Sequence, residues 1–378
     1  MLNLNRIRHT LHQLAEPSGA EFKTQQYLLD ILQQLSPTTI HIFKNSKNIL
    51  VVYDTGEKGP TLLFRADFDA VLVDEKINIP YSSLTEGVSH KCGHDGHTTI
   101  LLGLAEKIGL QPFAKGRILL FFQASEETGQ GCQQLLESQI LQKYCPDYVF
   151  ALHNIPGEEL GTVICKTESF TCSVVSCDIE LHGHTSHASE PQKALNPYMT
   201  AKLITDKLLA FNCYDMYKED FCLFTLVEFR VGEAAYGVTA GHGILRFTLR
   251  AKTENVLQQA RKNLITVVNQ EVEPIKELRS AIHWKEYFAA SMNTVEAVQC
   301  IQAAAKCAHL PYKVIELPFA WGEDFGLLTQ HIPGALFGLG SGCSQPSLHQ
   351  PDFDFPDALI SKGVDIFYEI ACHFYLNR

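Results

Sequence analysis

The stretch S-H-K-C-G-H-D-G-H-T-T-I-L-L-G-L, residues 89–104, decides how the rest of the chain is read. In it one thiol (Cys92) and three imidazoles (His90, His94, His97) surround a single carboxylate (Asp95) and two glycines (Gly93, Gly96). Thiolate and imidazole are the side chains that take borderline-soft divalent metals. Gly93 permits a tight turn, so that Cys92 and His94 can both reach one metal centre. From Thr98 onward the composition is that of a helix packing into a core, which would anchor the loop. The plain alternative is a chance cluster of histidines on a solvated loop, and the surrounding sequence has to decide between the two.

Working outward, three apolar runs each end in ligand-type residues. Residues 61–64 run into R-A-D-F-D-A, where Asp67 and Asp69 alternate and therefore point to one side. Acidic residues at the carboxyl end of a buried strand stand where open α/β sheets place their sites. These two are expected to orient imidazoles, the alternative being a buried salt bridge with Arg65. Residues 116–123 (G-R-I-L-L-F-F-Q) lead into A-S-E-E-T-G-Q-G, with Glu126 and Glu127 adjacent. Consecutive side chains point in different directions, so one can hold a metal while the other faces water; a solvated acidic turn is the other reading. Residues 147–152 form a further strand that ends in His153-Asn154.

At 378 residues, two domains are the natural expectation. Hydrophobic content of 46% and charged content of 19% are those of an ordinary globular protein. The formal net charge of −11 argues against a nucleic-acid partner. Twelve cysteines in 378 residues are too sparse for a disulfide scaffold. The first residues lack the pattern of a signal peptide, and no run of about 18 apolar residues suggests a membrane span. The expectation is a cytoplasmic protein with reduced thiols, acting without nucleic acid or membrane.

Residues 4–35 read as two helices broken at P-S-G, residues 17–19. Residues 168–284 read as an inserted module with the order β-α-β-β-α-β, which suggests a small ferredoxin-like sandwich. It divides the remainder into residues 1–167 and 285–378. In the last part a helix is expected over 295–307, a strand over 335–340, and a closing helix over 357–374 with Asp357 as N-cap.

The segment from Pro80 to Gly103, P-Y-S-S-x-x-x-G-V-x-H-K-C-G-H-D-G-H-T-x-x-L-L-G, resembles the signature of the hippurate hydrolase and indole-acetyl-amino-acid hydrolase family. These are metal-dependent amidohydrolases of the aminoacylase and carboxypeptidase clan. The resemblance recurs in order over nearly the whole chain: G-x-x-x-H-A-x-x-P (Gly183, His187, Ala188, Pro191), an E-D-F segment (Glu323, Asp324, Phe325) and L-H-x-P-x-F-x-F around His349. It implies an α/β fold, with a zinc-exopeptidase-like α/β/α catalytic domain and an inserted ferredoxin-like α+β lid that also makes a homodimer. It implies two divalent ions, zinc or manganese, on Cys92, His94, Glu127, His153 and His349. Glu126 would be the general base, and His187 would stabilise the oxyanion within its own chain or across the dimer; a capped loop histidine is the plainer reading of His187. His90, His97 and Asp95 would support these groups, with Asp95 fixing a ligand tautomer. The implied reaction is hydrolysis of an N-acyl amino acid, hippurate-like or N-acetyl, to a carboxylic acid and an amino acid. N-acetyl-diaminopimelate deacetylation and dipeptide hydrolysis are alternatives within the clan. A non-catalytic binding protein of the same fold would have lost Glu126 or a ligand, and this chain has lost neither. One departure stands: relatives carry an Asn where this chain has Gly237, which leaves polar recognition of the substrate open.

Overall fold

A computed structural model of the chain describes residues 1–376. The chain divides into two units. Unit 1 comprises Met1–Phe170, Ser291–Glu316 and the chain from Glu323 on. Its strands are β1 (Thr39–Ile42), β2 (Ile49–Asp54), β3 (Thr61–Asp67), β4 (Arg117–Gln123), β5 (Tyr148–Pro156), β6 (Val163–Cys165), β7 (Tyr312–Val314) and β8 (Gly334–Gly342). Its longer helices are α1 (Leu4–Leu14), α2 (Phe22–Leu32), α3 (His94–Leu110), α4 (Val295–Cys307) and α5 (Ala358–Tyr375).

The strands form one mixed sheet in the order β1-β2-β4-β3-β5-β8-β6-β7. The central strands β4, β3, β5 and β8 are mutually parallel. Every residue of β3 is buried, as a parallel strand covered on both faces requires. The same holds for α3, buried on all sides over its first three turns. Leu62, Phe64, Leu120 and Phe150 of the sheet share one core with Ile100, Leu101 and Leu104 of α3 and with Ile366, Phe367 and Ile370 of α5. The helices α3 and α5 come close because each offers a glycine: a Cβ on Gly363 would stand 2.4 Å from Ile100 Cδ1. Strand order turns back on itself between β4, β3 and β5, and the candidate site lies at the carboxyl ends of these strands.

Unit 2 comprises Thr171–Ala290 and Leu317–Gly322. Strand Ser173–His182, helix Tyr198–Leu209, strands Cys222–Val231 and His242–Ala251, helix Glu254–Val272 and strand Arg279–Phe288 follow one another. The sheet order is Cys222–Val231, His242–Ala251, Ser173–His182, Arg279–Phe288, with all pairs antiparallel. This is the split β-α-β arrangement read from the sequence. The boundary expected at residue 284 falls inside the last strand, whose pairing with Ser173–His182 continues to Phe288 opposite Val174.

Two smaller expectations are corrected. Asp357 stands at the start of α5 but caps no backbone amide. Its carboxylate goes instead to Arg8 Nε at 2.5 Å and to His9 Nε2 at 2.8 Å. Asp95 does not fix a ligand histidine. It sits one residue after His94 on α3, so its side chain leaves the helix in another direction. It accepts from Arg8 Nη1 at 3.1 Å and lies 2.8 Å from His12 Nδ1.

Arg8 is fully buried and is also bonded to Asp354 at 2.9 Å, so it joins α1 to α3 and to the segment that leads into α5. Replacing Arg8 by Ala would strand buried carboxylates without their partner. The expected loss is ~3–5 kcal/mol of unfolding free energy. A denaturant titration with unchanged slope and shifted midpoint checks it, and a loss below ~1 kcal/mol would contradict the role given to Arg8.

Candidate metal and catalytic site

The site begins at Gly93. Its φ is +95°, and a Cβ there would stand 2.5 Å from Asn154 Oδ1. Glycine is therefore required twice over, for the left-handed turn and for the close approach. The turn makes His94 the first residue of α3 and leaves Cys92 on the loop just before it.

The imidazoles of His94 and His153 are each oriented through one nitrogen. His94 Nδ1 lies 3.0 Å from the Asp69 carbonyl oxygen and 3.3 Å from Asp69 Oδ1, so it carries the proton. His94 Nε2 then faces the site, and it is buried with no hydrogen-bond partner. His153 Nδ1 lies 2.9 Å from the Asn154 carbonyl oxygen, which turns Nε2 toward Cys92 Sγ, 3.5 Å away. This orientation of a ring through its far nitrogen is the usual preparation of a histidine ligand.

The carboxylates come from the turn after β4. Ser125 has a φ of +57°, and its amide and hydroxyl both donate to Glu21 Oε1, at 2.8 and 3.2 Å. That kink aims Glu126 and Glu127. Both carboxylates approach His94 Nε2, Glu126 Oε2 at 3.9 Å and Glu127 Oε1 at 3.7 Å. The adjacent acids thus share one space, although the alternation of directions along a chain suggested that they would part. Glu127 Oε1 is buried without a hydrogen-bond partner and stands 3.4 Å from His349 Nε2. His349 has a φ of +63°, and its amide donates to the Lys91 carbonyl oxygen at 2.8 Å.

Ligand-type atoms fall into overlapping triples, each within 4.8 Å: Cys92 with His94 and His153, Cys92 with Glu127 and His349, and His94 with Glu126 and Glu127. Cys92 belongs to two of them. Two buried atoms without partners, each costing ~1–3 kcal/mol if left so, face one another in a setting of thiol, imidazole and carboxylate. The donor set fits divalent ions of the zinc or manganese kind.

Burial pushes the Cys92 thiol well up, and the carboxylates of Glu127 and Glu126 add to it. Burial alone would lower His94, but Asp67, Asp69 and Glu127 raise it to about 10. Burial and the neighbouring His97 hold His153 well below the usual histidine range. Burial, then the carboxylates of Glu323, Glu127 and Asp324, push Glu126 well up.

The supporting shell is partly as the sequence suggested. Asp67 Oδ1 lies 2.7 Å from His97 Nδ1, and Asp67 Oδ2 accepts from Arg65 Nη1 at 2.7 Å, so orientation of an imidazole and a salt bridge coexist. Arg65 also reaches Glu323 at 2.8 Å and Asp324 at 3.0 Å. His97 Nε2 lies 2.5 Å from Asn154 Oδ1, and its ring packs edge-on against His153 with centroids 4.6 Å apart. His90 is buried, and burial lowers it to about 4, so it is neutral. Several residues of this shell carried no sequence signal. Ser18 donates to Asp69 Oδ2 at 2.7 Å, and Glu21 holds the Ser125 turn. Their partners are far off in the chain, and only a left-handed serine, which no motif announces, brings Glu21 into play.

His187 belongs to unit 2. The two-residue strand Ser186–His187 pairs with Val238–Thr239, with His187 opposite Val238. Its Nδ1 lies 2.7 Å from Ser189 Oγ. Gly237 accepts the Ala188 amide at 3.0 Å, and a side chain added there would meet nothing within 4 Å.

Comparison with known proteins agrees with this architecture. N-acetyldiaminopimelate deacetylase of Bacillus subtilis (strain 168) is 29% identical over 361 residues, covering 95% of each chain. N-acetyl-L-cysteine deacetylase of the same organism is 30% identical, covering 97% of this chain and 86% of its own. The crystal structure of the Bacillus subtilis YXEP protein, titled a dinuclear metal-binding peptidase from the M20 family, superposes with a TM-score of 0.81 at 23% identity, covering 97% and 96% of the two chains. At that identity the likeness shows the fold. The family profile described as Peptidase family M20/M25/M40 matches residues 63–373, from β3 into the last turn of α5, and the chain belongs to that family.

Proposed function

We propose that this protein is a metal-dependent amidohydrolase that cleaves N-acyl amino acids, N-acetyl ones in particular, to a carboxylic acid and an amino acid. The observation that carries the reading is the pair of buried, partnerless atoms, His94 Nε2 and Glu127 Oε1, 3.7 Å apart within reach of Cys92, His153 and His349. Two divalent ions on Cys92, His94, Glu127, His153 and His349 would supply an acidified water and a polarised carbonyl. Cys92, a member of two ligand triples, would be within reach of either ion.

Glu126 is the proton carrier. Its Oε1 accepts the Asp324 amide at 3.4 Å, and its Oε2 faces the ligand cluster. The buried carboxylates around it give it a high proton affinity, which nearby cations would bring back toward neutrality. A carboxylate so tuned takes a proton from the attacking water at Oε2 and returns it to the departing amine. His187 is read as the donor to the oxyanion. Unit 2, with its exposed edge strand Cys222–Val231, is read as a lid and as the dimer-forming element. A cytoplasmic setting is read from twelve cysteines too sparse for a disulfide scaffold. Among the described residues no helix is long and apolar enough to cross a membrane.

The two Bacillus relatives are named as deacetylases of N-acetylated amino acids, which favours N-acyl substrates over free dipeptides. A panel of N-acetyl and N-benzoyl amino acids, N-acetyl-diaminopimelate and dipeptides, assayed with zinc and with manganese, tests this. Turnover of dipeptides alone would overturn the substrate reading.

Glu126→Gln is expected to keep its metal and lose at least about a hundredfold in kcat. A near-normal rate with normal metal content would remove Glu126 from the mechanism. The metal-free site holds protons on Cys92 and His94, both raised above their ordinary values. Binding a divalent ion must expel them, so affinity is expected to rise with pH through the neutral range. Calorimetry in buffers of different ionisation enthalpy reads the released protons; affinity that ignores pH would contradict the assignment. Because the space at Gly237 is open, Gly237→Asn is expected to fold normally and to change KM by severalfold with kcat little altered, if that position contacts substrate. Identical KM across the panel would show that it does not.

A further inference from the structure

Unit 2 carries a second cluster of metal-type side chains, and nothing in the hydrolytic reading uses it. His182 ends the strand Ser173–His182, and His242 begins the strand His242–Ala251. The two are directly opposed in register, with ring centroids 5.0 Å apart. Glu180 lies two residues before His182, hence on the same face. Its Oε2 is 3.1 Å from His182 Nε2. One ligand-type atom from each of Glu180, His182 and His242 falls within 4.8 Å of the others. On the next strand, His283 Nε2 stands 3.9 Å from Glu180 Oε1.

We propose that Glu180, His182 and His242 form a divalent-metal site of the zinc class, separate from the hydrolytic centre, with His283 or water as fourth ligand. Two imidazoles and one carboxylate are a known zinc donor set. Donor atoms on one zinc ion, at bond lengths of about 2.0–2.1 Å, stand closer together than 4.8 Å. Small rotations would close that gap, and the His182 and His283 side chains, 47% and 54% exposed, are not locked in a packed core. The backbone needs no change, since the register already opposes the two rings. The charge balance also favours Glu180 as the ligand carboxylate. Asp178, the next acid on that face, is taken by Arg246 at 3.2 Å and Lys285 at 2.8 Å. Arg279 lies opposite His182, but its guanidinium is turned to the Leu278 carbonyl oxygen at 3.1 Å.

The position gives the site a purpose. His182 is followed at once by the loop that bears His187, and His242 is preceded by the segment that pairs with that loop. The Gly183 amide donates to the Gly241 carbonyl oxygen at 2.8 Å, directly beside the pair. An ion joining His182 to His242 would staple the stems of both segments and so hold His187 in place.

The test uses the untagged, full-length chain. Cys92→Ala with His94→Ala disables the hydrolytic centre as a metal site and provides the background. After dialysis against zinc, this background is expected to keep one zinc per chain by elemental analysis. Adding His182→Ala and His242→Ala is expected to remove it, with circular dichroism unchanged. In the background chain zinc is expected to slow hydrogen exchange of residues 183–191 and 237–241 at least tenfold, and to do nothing once the two histidines are gone. Equal zinc content with and without His182 and His242 would overturn the proposal. If the background fails to fold, the two histidine replacements are made in the otherwise native chain, where the expected result is one zinc fewer and an unchanged count overturns the site. None of these readouts depends on hydrolysis, so they stand or fall apart from the substrate reading.

Discussion

Asp69 fixes three segments of chain to one another. Its Oδ1 and its carbonyl oxygen face His94 Nδ1. Its Oδ2 accepts from Ser18 Oγ and, at 3.0 Å, from the Glu127 amide. The first residue of α3, the turn after β4 and the loop after α1 therefore share one buried carboxylate. Such a group is costly to bury unless every lone pair is used. Here that requirement sets the tautomer of one candidate ligand and the backbone position of another. The site follows from it: once His94 Nδ1 and the Glu127 amide are committed to Asp69, His94 Nε2 and the Glu127 carboxylate are left facing each other without partners.

Two buried guanidinium groups hold the surrounding scaffold. Arg8 gathers Asp95, Asp354 and Asp357, while Arg65 gathers Asp67, Glu323 and Asp324. Each ties β3 or α1 to segments hundreds of residues later in the chain. Each cation meets three acids at once, which is why the planar, multivalent guanidinium suits both places better than an ammonium. The two clusters take up acids of this region unequally. Asp95, one residue from His94, is engaged by Arg8, while Glu126 accepts the Asp324 amide and keeps Oε2 toward His94 Nε2.

Local pattern carried much of the fold. Apolar runs located β3, β4, β5 and β8, and the expected helix 295–307 coincides with Val295–Cys307. The C-G-H-D-G-H segment, the E-E pair and the histidines at 153 and 349 stood out in the sequence at strand ends or in family motifs, and the fold brings their ligand-type atoms together. What stayed illegible depends on direction or distance. Asp95 looks like support for a ligand by spacing, but its place on α3 sends it to Arg8 and His12. Asp357 reads as a cap by type, yet a buried arginine outcompetes the backbone amide for it. The left-handed Ser125 and the contribution of Leu317–Gly322 to unit 2 arise from tertiary contacts that no short window contains.

The proposed hydrolytic centre is the cluster of ligand-type side chains at the carboxyl ends of β3, β4 and β5, with Cys92 in two of its triples. Anomalous X-ray diffraction from crystals grown with zinc, recorded on both sides of the zinc absorption edge, tests it most directly. Two peaks are expected in unit 1, one ligated by Cys92 together with His94 and His153 and the other by Cys92 together with Glu127 and His349. A single peak remote from Cys92, or no peak among these residues in protein that hydrolyses its substrate, would contradict it.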